Sequence, residues 1–143
     1  MVKKIGFRLS GIRTEQFAII EEAYNELADV NFGYDFNFAH NVEQRVVAVI
    51  AKVRFEQERI PFLKIEVSNH FQISEESWAE IFSVSEQKIT LPKEFVLHLF
   101  MLSIGNTRGI LHARTENTPF NKYIVPTVNL TKLISDEVVT INL

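Results

Sequence analysis

The sequence predicts an α+β domain in which a four-stranded antiparallel sheet is followed by a long helix and a short second helix. Three observations carry this. Apolar residues recur at every second position through the first three-fifths of the chain, and at every third or fourth position after that. A short polar link joins two strands of matching pattern, as in a hairpin. With 143 residues, 46% hydrophobic and 23% charged, the chain is long enough for one core, and 1–143 is read as a single domain.

The elements follow in order. Ile5, Phe7 and Leu9 alternate with Lys4, Gly6, Arg8 and Ser10, and the alternation resumes at Phe17 and Ile19. One long strand, bent or bulged at Ser10-Gly11, is expected. Next, Phe32, Tyr34, Phe36 and Phe38 stand at alternate positions with Gly33, Asp35 and Asn37 between them. On an extended strand this gives one aromatic face and one polar face. The aromatic face needs a cover, either the chain's own core or a bound partner. Val47, Val49, Ala51, Val53 and Phe55 then oppose Lys52, Arg54 and Glu56, and Gln57-Glu58-Arg59 reverses the chain. The fourth strand turns Leu63, Ile65, Val67, Phe71 and Ile73 inward and Lys64, Glu66 and Ser68 outward, so the four strands fill residues 3–74.

Helical signals begin after the sheet. Ser77-Trp78-Ala79-Glu80 has capping-box spacing ahead of Ile81 and Phe82, which predicts a short helical turn. Thr90-Leu91-Pro92-Lys93 predicts the start of a longer helix, with a hydroxyl cap and a proline in the first turn. From Phe95 through Leu102 that helix is apolar on nearly every side, and Ile110 and Leu111 continue it past Gly105-Asn106. A helix apolar all round is buried all round, yet one sheet covers only one side of it. A partner subunit is therefore expected on the other side. Phe95, Leu99, Leu102 and Gly109 are its candidate contacts, with Gly109 at a close helix crossing.

Composition and spacing narrow the chemistry. A net charge of −3 with scattered lysine and arginine gives no reason to expect nucleic acid. Without cysteine there is no disulfide framework, no thiolate metal site and no thiol nucleophile, which fits a reducing cytoplasm. Arg8 and Ser10 interrupt what would be a signal peptide, and the longest apolar run, Phe95 to Ile104, contains His98 and Ser103 and is about half a membrane span. A soluble, cytoplasmic protein without membrane insertion is expected. His40, His70, His98 and His112 lack the close spacing of zinc motifs, and the last two lie about 21 Å apart along a helix. The carboxylate pairs Glu21-Glu22, Glu75-Glu76 and Asp136-Glu137 point apart on regular elements. Gly105-Asn106-Thr107-Arg108-Gly109 lacks the Gly-Lys-Ser/Thr ending of a phosphate loop. No catalytic residue, metal or cofactor is expected.

Leu91-Pro92-Lys93-Glu94 opening a helix, Thr107-Arg108-Gly109 within it, and Tyr123-Ile124-Val125-Pro126-Thr127-Val128-Asn129-Leu130 after it resemble the SecB family of export chaperones. Ile12-Arg13-Thr14 also looks like that family's first strand, and the resemblance covers nearly the whole chain in element order. It implies an ATP-independent holdase that binds unfolded polypeptides in an apolar groove, assembled as a tetramer of two dimers. The groove residues it implies are Phe32, Tyr34, Phe36 and Phe38 together with Tyr123, Ile124, Leu130, Leu133 and Ile134. The partners it implies are unfolded clients and either the SecA motor or, as for members serving toxin–antitoxin systems, an antitoxin. Glu66 matches a motor contact on the sheet's outer face, whereas Gln16 and Ile20 stand where carboxylates are expected, and Thr127 replaces a second proline. Two other functions use the same elements. One is a scaffold domain holding a folded partner. The other is a hotdog-type thioesterase, whose helix comes early in the chain and for which Glu94 is the one carboxylate close to the long helix.

Overall fold

Alternation in the sequence becomes the main sheet. In the computed structural model, which describes residues 4–143, strands β1 (Phe7–Ile19), β2 (Asn31–Asn41), β3 (Val46–Gln57) and β4 (Ile60–Ile73) pair antiparallel in the order β1-β4-β3-β2. The central pair β3 and β4 is the expected hairpin. Glu58 and Arg59 at its tip both adopt positive φ, 51° and 69°, as a two-residue turn matched to strand twist requires. Val47, Val49, Leu63, Ile65, Val67 and Phe71 on the inner face are completely buried and form the floor of the core.

β1 is bulged where the sequence suggests, between Leu9 and Gly11, and again between Thr14 and Gln16. The bulges keep Leu9 opposite Phe71, Ile12 opposite Asn69 and Phe17 opposite Ile65 on the inner face. Leu9 and Ile12 are nevertheless exposed, at 43% and 47%, because β1 is an edge strand.

The helix starts differ from expectation. Helix α1 (Glu75–Ile81) is capped by Ser74, whose hydroxyl accepts from the Ser77 amide at 3.3 Å, so the cap lies three residues earlier than Ser77. Ser77 itself accepts from the Gly6 amide at 2.9 Å and ties the first residues to the helix. Thr90 is not a cap either. It lies in β6 of a second sheet that the sequence does not announce: β5 (Phe82–Ser83), β6 (Lys88–Pro92) and β7 (Val138–Asn142), in the order β5-β6-β7 with Thr90 opposite Thr140. Pro92 ends β6 and, with φ −61°, launches the long helix α2 (Lys93–Arg114) without a side-chain cap.

α2 lies across β3 and β4 and buries Val96, Leu99, Phe100, Ile104 and Leu111 against them. Ser103 and Thr107 are buried among these, each donating its hydroxyl to the carbonyl four residues back at 2.8 Å, so no polar group is stranded. Asn69 is fully buried at the same interface. Its amide nitrogen donates to the Val49 and Val67 carbonyls, both at 3.2 Å, and its oxygen accepts from Asn106 of α2 at 2.9 Å.

Burial of α2 on all sides does not occur within the protomer. Met101 is 62% and Leu102 36% exposed, and a Cβ placed at Gly105 or Gly109 would meet nothing within 4 Å. No helix crosses at Gly109 in the described protomer. Leu99 has the opposite fate to the one expected of an interface residue: it is completely buried in the protomer's own core and has no surface to offer a partner. Phe95 is half-buried, edge-on to Phe7 at 5.3 Å.

After α2 the chain crosses back along the sheet in a mainly extended segment. The short helical element expected there takes the form of 3-10 turns at Pro119–Lys122 and Leu130–Leu133. Among the described residues no helix is long and apolar enough to cross a membrane.

Candidate functional site

An open cleft of about 520 Å³ lies between β2, the start of α2 and the segment leading into β7. Its floor is aromatic. Phe36 stacks on Phe100 of α2 with ring centres 4.2 Å apart and planes within 5°, and Phe38 leans on the same ring at 5.7 Å. Tyr34 meets Phe36 edge-on at 5.9 Å. The far wall is Leu133, Ile134, Ser135 and Asp136, continued by Val138, Val139 and Thr140 of β7.

Five of the residues expected to line a groove therefore meet in one place: Tyr34, Phe36, Phe38, Leu133 and Ile134. The other four do not. Phe32 continues the aromatic row but packs on Tyr34 and Phe55, outside the cleft. Leu130 is buried, and Ile124 is exposed away from the cleft. Tyr123 turns into a second aromatic cluster with Tyr24, Phe55 and Phe62. Sequence reasoning missed Phe100, Val96 and β7. The β-branched run Val138-Val139-Thr140-Ile141 was the available signal for the last of these.

The four alternating rings are half-buried, so the row is neither pure core nor free surface. Rings held in this way offer large apolar contact with little side-chain entropy left to lose.

The wall is held by a few polar clamps. Arg108 donates from Nε to the Val125 carbonyl at 2.8 Å and from Nη2 to the Pro126 carbonyl at 2.9 Å. Upstream, Asn121 donates to the His112 carbonyl at 2.9 Å and to Thr115 Oγ1 at 3.2 Å. The hydroxyls of Tyr123 and Tyr24 share a hydrogen bond of 2.7 Å. The loop carrying Tyr24 is fixed in turn by Gln57, which bonds the Asn25 amide at 2.8 Å and the Asn25 carbonyl at 2.7 Å.

Desolvation, then the bond to Tyr24, pushes the Tyr123 hydroxyl up from 10.0 to about 12. The folded state thus holds this proton more tightly than the unfolded chain. The stabilisation is intact below pH 10 and is lost as pH rises through about 12. An alkaline absorbance titration should show a phenol ionising late, and Tyr123→Phe should remove both that late step and this part of the alkaline loss of stability.

The sheet's outer face carries paired charges. Glu66 lies 3.3 Å from Lys52, and Arg54 lies 3.0 Å from Asp35 and 3.4 Å from Glu56. Glu66 is therefore paired with Lys52 and is not a lone acidic group. Near the other end of that face, Ser68 Oγ donates to Glu15 at 2.8 Å, with His70 Nε2 at 3.1 Å. A carboxylate only accepts, so this bond engages the serine proton with Glu15, whereas an activated nucleophile gives it to the imidazole. Among the described residues no group of three or more His, Cys, Asp or Glu is placed to hold a metal ion.

No family model matches the chain, and no curated protein does. Among solved structures, a SecB-like chaperone of Mycobacterium tuberculosis, in complex with a ChAD peptide from an antitoxin, is similar over 85% of this chain and 90% of that one. The identity is 12% and the TM-score 0.45.

Proposed function

We propose that the protein is a nucleotide-independent holdase chaperone that captures unfolded polypeptide in the cleft between β2 and the β7 segment. The observation that supports this is the half-buried aromatic row of Tyr34, Phe36 and Phe38 on Phe100, open along one side to solvent. Such a floor attracts apolar side chains in general and sets no demand for one partner. An antitoxin segment and a chain awaiting handover to SecA would meet it alike, as extended apolar polypeptide. A SecA contact through Glu66 gains no support, since Lys52 already compensates that charge. The thioesterase alternative is disfavoured because Glu94 sits at the exposed start of α2, outside the cleft.

The outward stripe of Met101 and Leu102, with Leu9 and Ile12 of β1, is the surface we assign to subunit assembly, up to a tetramer.

The test is aggregation of several unrelated unfolded proteins with and without the purified protein and no nucleotide. Suppression of all of them is expected. Leu133→Ser, at a site 47% exposed, should change stability by less than about 0.5 kcal/mol and still lower that suppression. Failure to suppress any aggregation would overturn the proposal, and protection confined to one folded partner would favour the scaffold alternative.

A further inference from the structure

We propose that a trough on the outer face of the main sheet binds a small organic phosphate, its phosphate held by Arg13 and His70 and its apolar body lying on the floor between β1 and β2. The trough and the cleft share no lining residue, so this does not rest on the assignment of the polypeptide site.

The trough encloses about 510 Å³ at the end of the sheet where β2 turns into β3. Register explains why it is there. Gly11, His70, Ala48 and Ala39 form one outer-face row across β1, β4, β3 and β2, and only His70 in that row has a side chain larger than a methyl. The rows on either side supply Arg13 from one direction and Val46 and Asn41 from the other. Val46 and Ala48 are 8% and 3% exposed although they alternate with the core residues Val47 and Val49, whereas the later outer-face positions of β3 are only half-buried. The sheet is recessed here.

Charge decides the class of ligand. The chain carries a net charge of −3, yet no carboxylate lines the trough, while Arg13, His40 and His70 do. Arg13 enters no ion pair among the described residues, which leaves its fork of donors for an oxyanion. His70 stands diagonally across the β1–β4 pair from Arg13, about 7–8 Å away, a span that one phosphate bridges with the reach of both side chains. Glu15 takes the Ser68 proton at 2.8 Å, so Ser68 Oγ is left to accept from His70 Nε2 at 3.1 Å. That leaves Nδ1 of His70 for a ligand. A phosphomonoester brings about −1.5 to −2 of charge at pH 7, which suits a guanidinium and an imidazolium together, where a carboxylate brings a single charge. Val46, Ala48 and Ala39 give the rest of the molecule an apolar floor, and Gln44 and Asn41 offer amides at its far wall.

Phenyl phosphate, inorganic phosphate and benzoate, each titrated into the isotopically labelled full chain at constant ionic strength and followed by NMR, test this. Phenyl phosphate should saturate at millimolar concentration or below, moving the amides of Gly11 and Ala48 and the ring signals of His70 while those of Phe36 and Leu133 in the cleft stay in place. Inorganic phosphate should move the same signals about fivefold more weakly, for want of contact with the floor, and benzoate about fivefold more weakly, for want of charge. Arg13→Gln, at an exposed position without an ion pair, should weaken phenyl phosphate binding at least fivefold at an unchanged melting temperature, and Arg13→Lys should restore only part of it. Signals unmoved by all three compounds, or shifts that Arg13→Gln leaves intact, overturn the proposal. Benzoate binding as tightly as phenyl phosphate overturns it too, as do shifts confined to the cleft.

Discussion

Leu99→Ala is expected to lower the stability of the protomer by about 3 kcal/mol, while Leu102→Ala, less than one turn further along the same helix, changes it by less than about 0.5 kcal/mol. The contrast follows from burial. Leu99 is completely enclosed between α2 and the sheet, so truncation removes its transfer free energy and leaves a cavity. Leu102 is 36% exposed beside Met101 at 62%, and neither belongs to the core. Removing both of these side chains should act on assembly. Urea unfolding at two protein concentrations, with light scattering at low micromolar concentration, separates the effects. Any loss for Leu102 should depend on concentration, and the loss for Leu99 should not. A wild-type protein that stays monomeric throughout would remove the outward stripe as an interface.

The second large effect is expected from Arg108→Ala. Its guanidinium makes two charge-assisted hydrogen bonds to consecutive carbonyls, Val125 and Pro126, and these fix the path of the segment that ends in the cleft wall. Partial exposure limits the loss of stability to about 2 kcal/mol. Client capture should fall further, at least tenfold, because Leu133 and Ile134 lose their setting opposite Phe36. Lysine offers a point charge in place of a fork and should rescue only in part. Hydrogen exchange gives the readout: amides of residues 124–136 should exchange faster, with those of β3 and β4 unchanged. Unaltered exchange in that segment would show that Arg108 does not position the wall.

How much of this was legible in the sequence varies with the range of the interaction that decides each feature. The four strands were legible because alternation is a local signal and a buried inner face repeats it at every second residue. The second sheet was not. β6 hides in the same Thr90-Leu91-Pro92 that reads as a helix start, and its partner Thr140 is fifty positions away. The aromatic row could be read, but its cover could not, since the contact between Phe36 and Phe100 depends on where the helix lands. The place of Tyr123 beside Tyr24 is hidden for a similar reason, as the loop that brings Tyr24 to it has no periodic pattern. Leu99 reads from sequence as an interface residue, although it is completely buried, because a helix apolar all round conceals which of its faces points inward. Asn106 held that information, but only in combination with Asn69.

That asparagine pair has a consequence for how the protein can change. If α2 rotated or slipped by a turn, the side-chain oxygen of fully buried Asn69 would lose Asn106, and an unpaired buried polar group costs on the order of 1–3 kcal/mol. The phase of the helix is therefore held in part by these two side chains, while Met101, Leu102, Gly105 and Gly109 on the opposite side are exposed. Mutations can drift across that stripe without touching the cleft, whose lining includes none of these residues. The assembly and the capture proposed above are thereby free to diversify as separate traits of one fold.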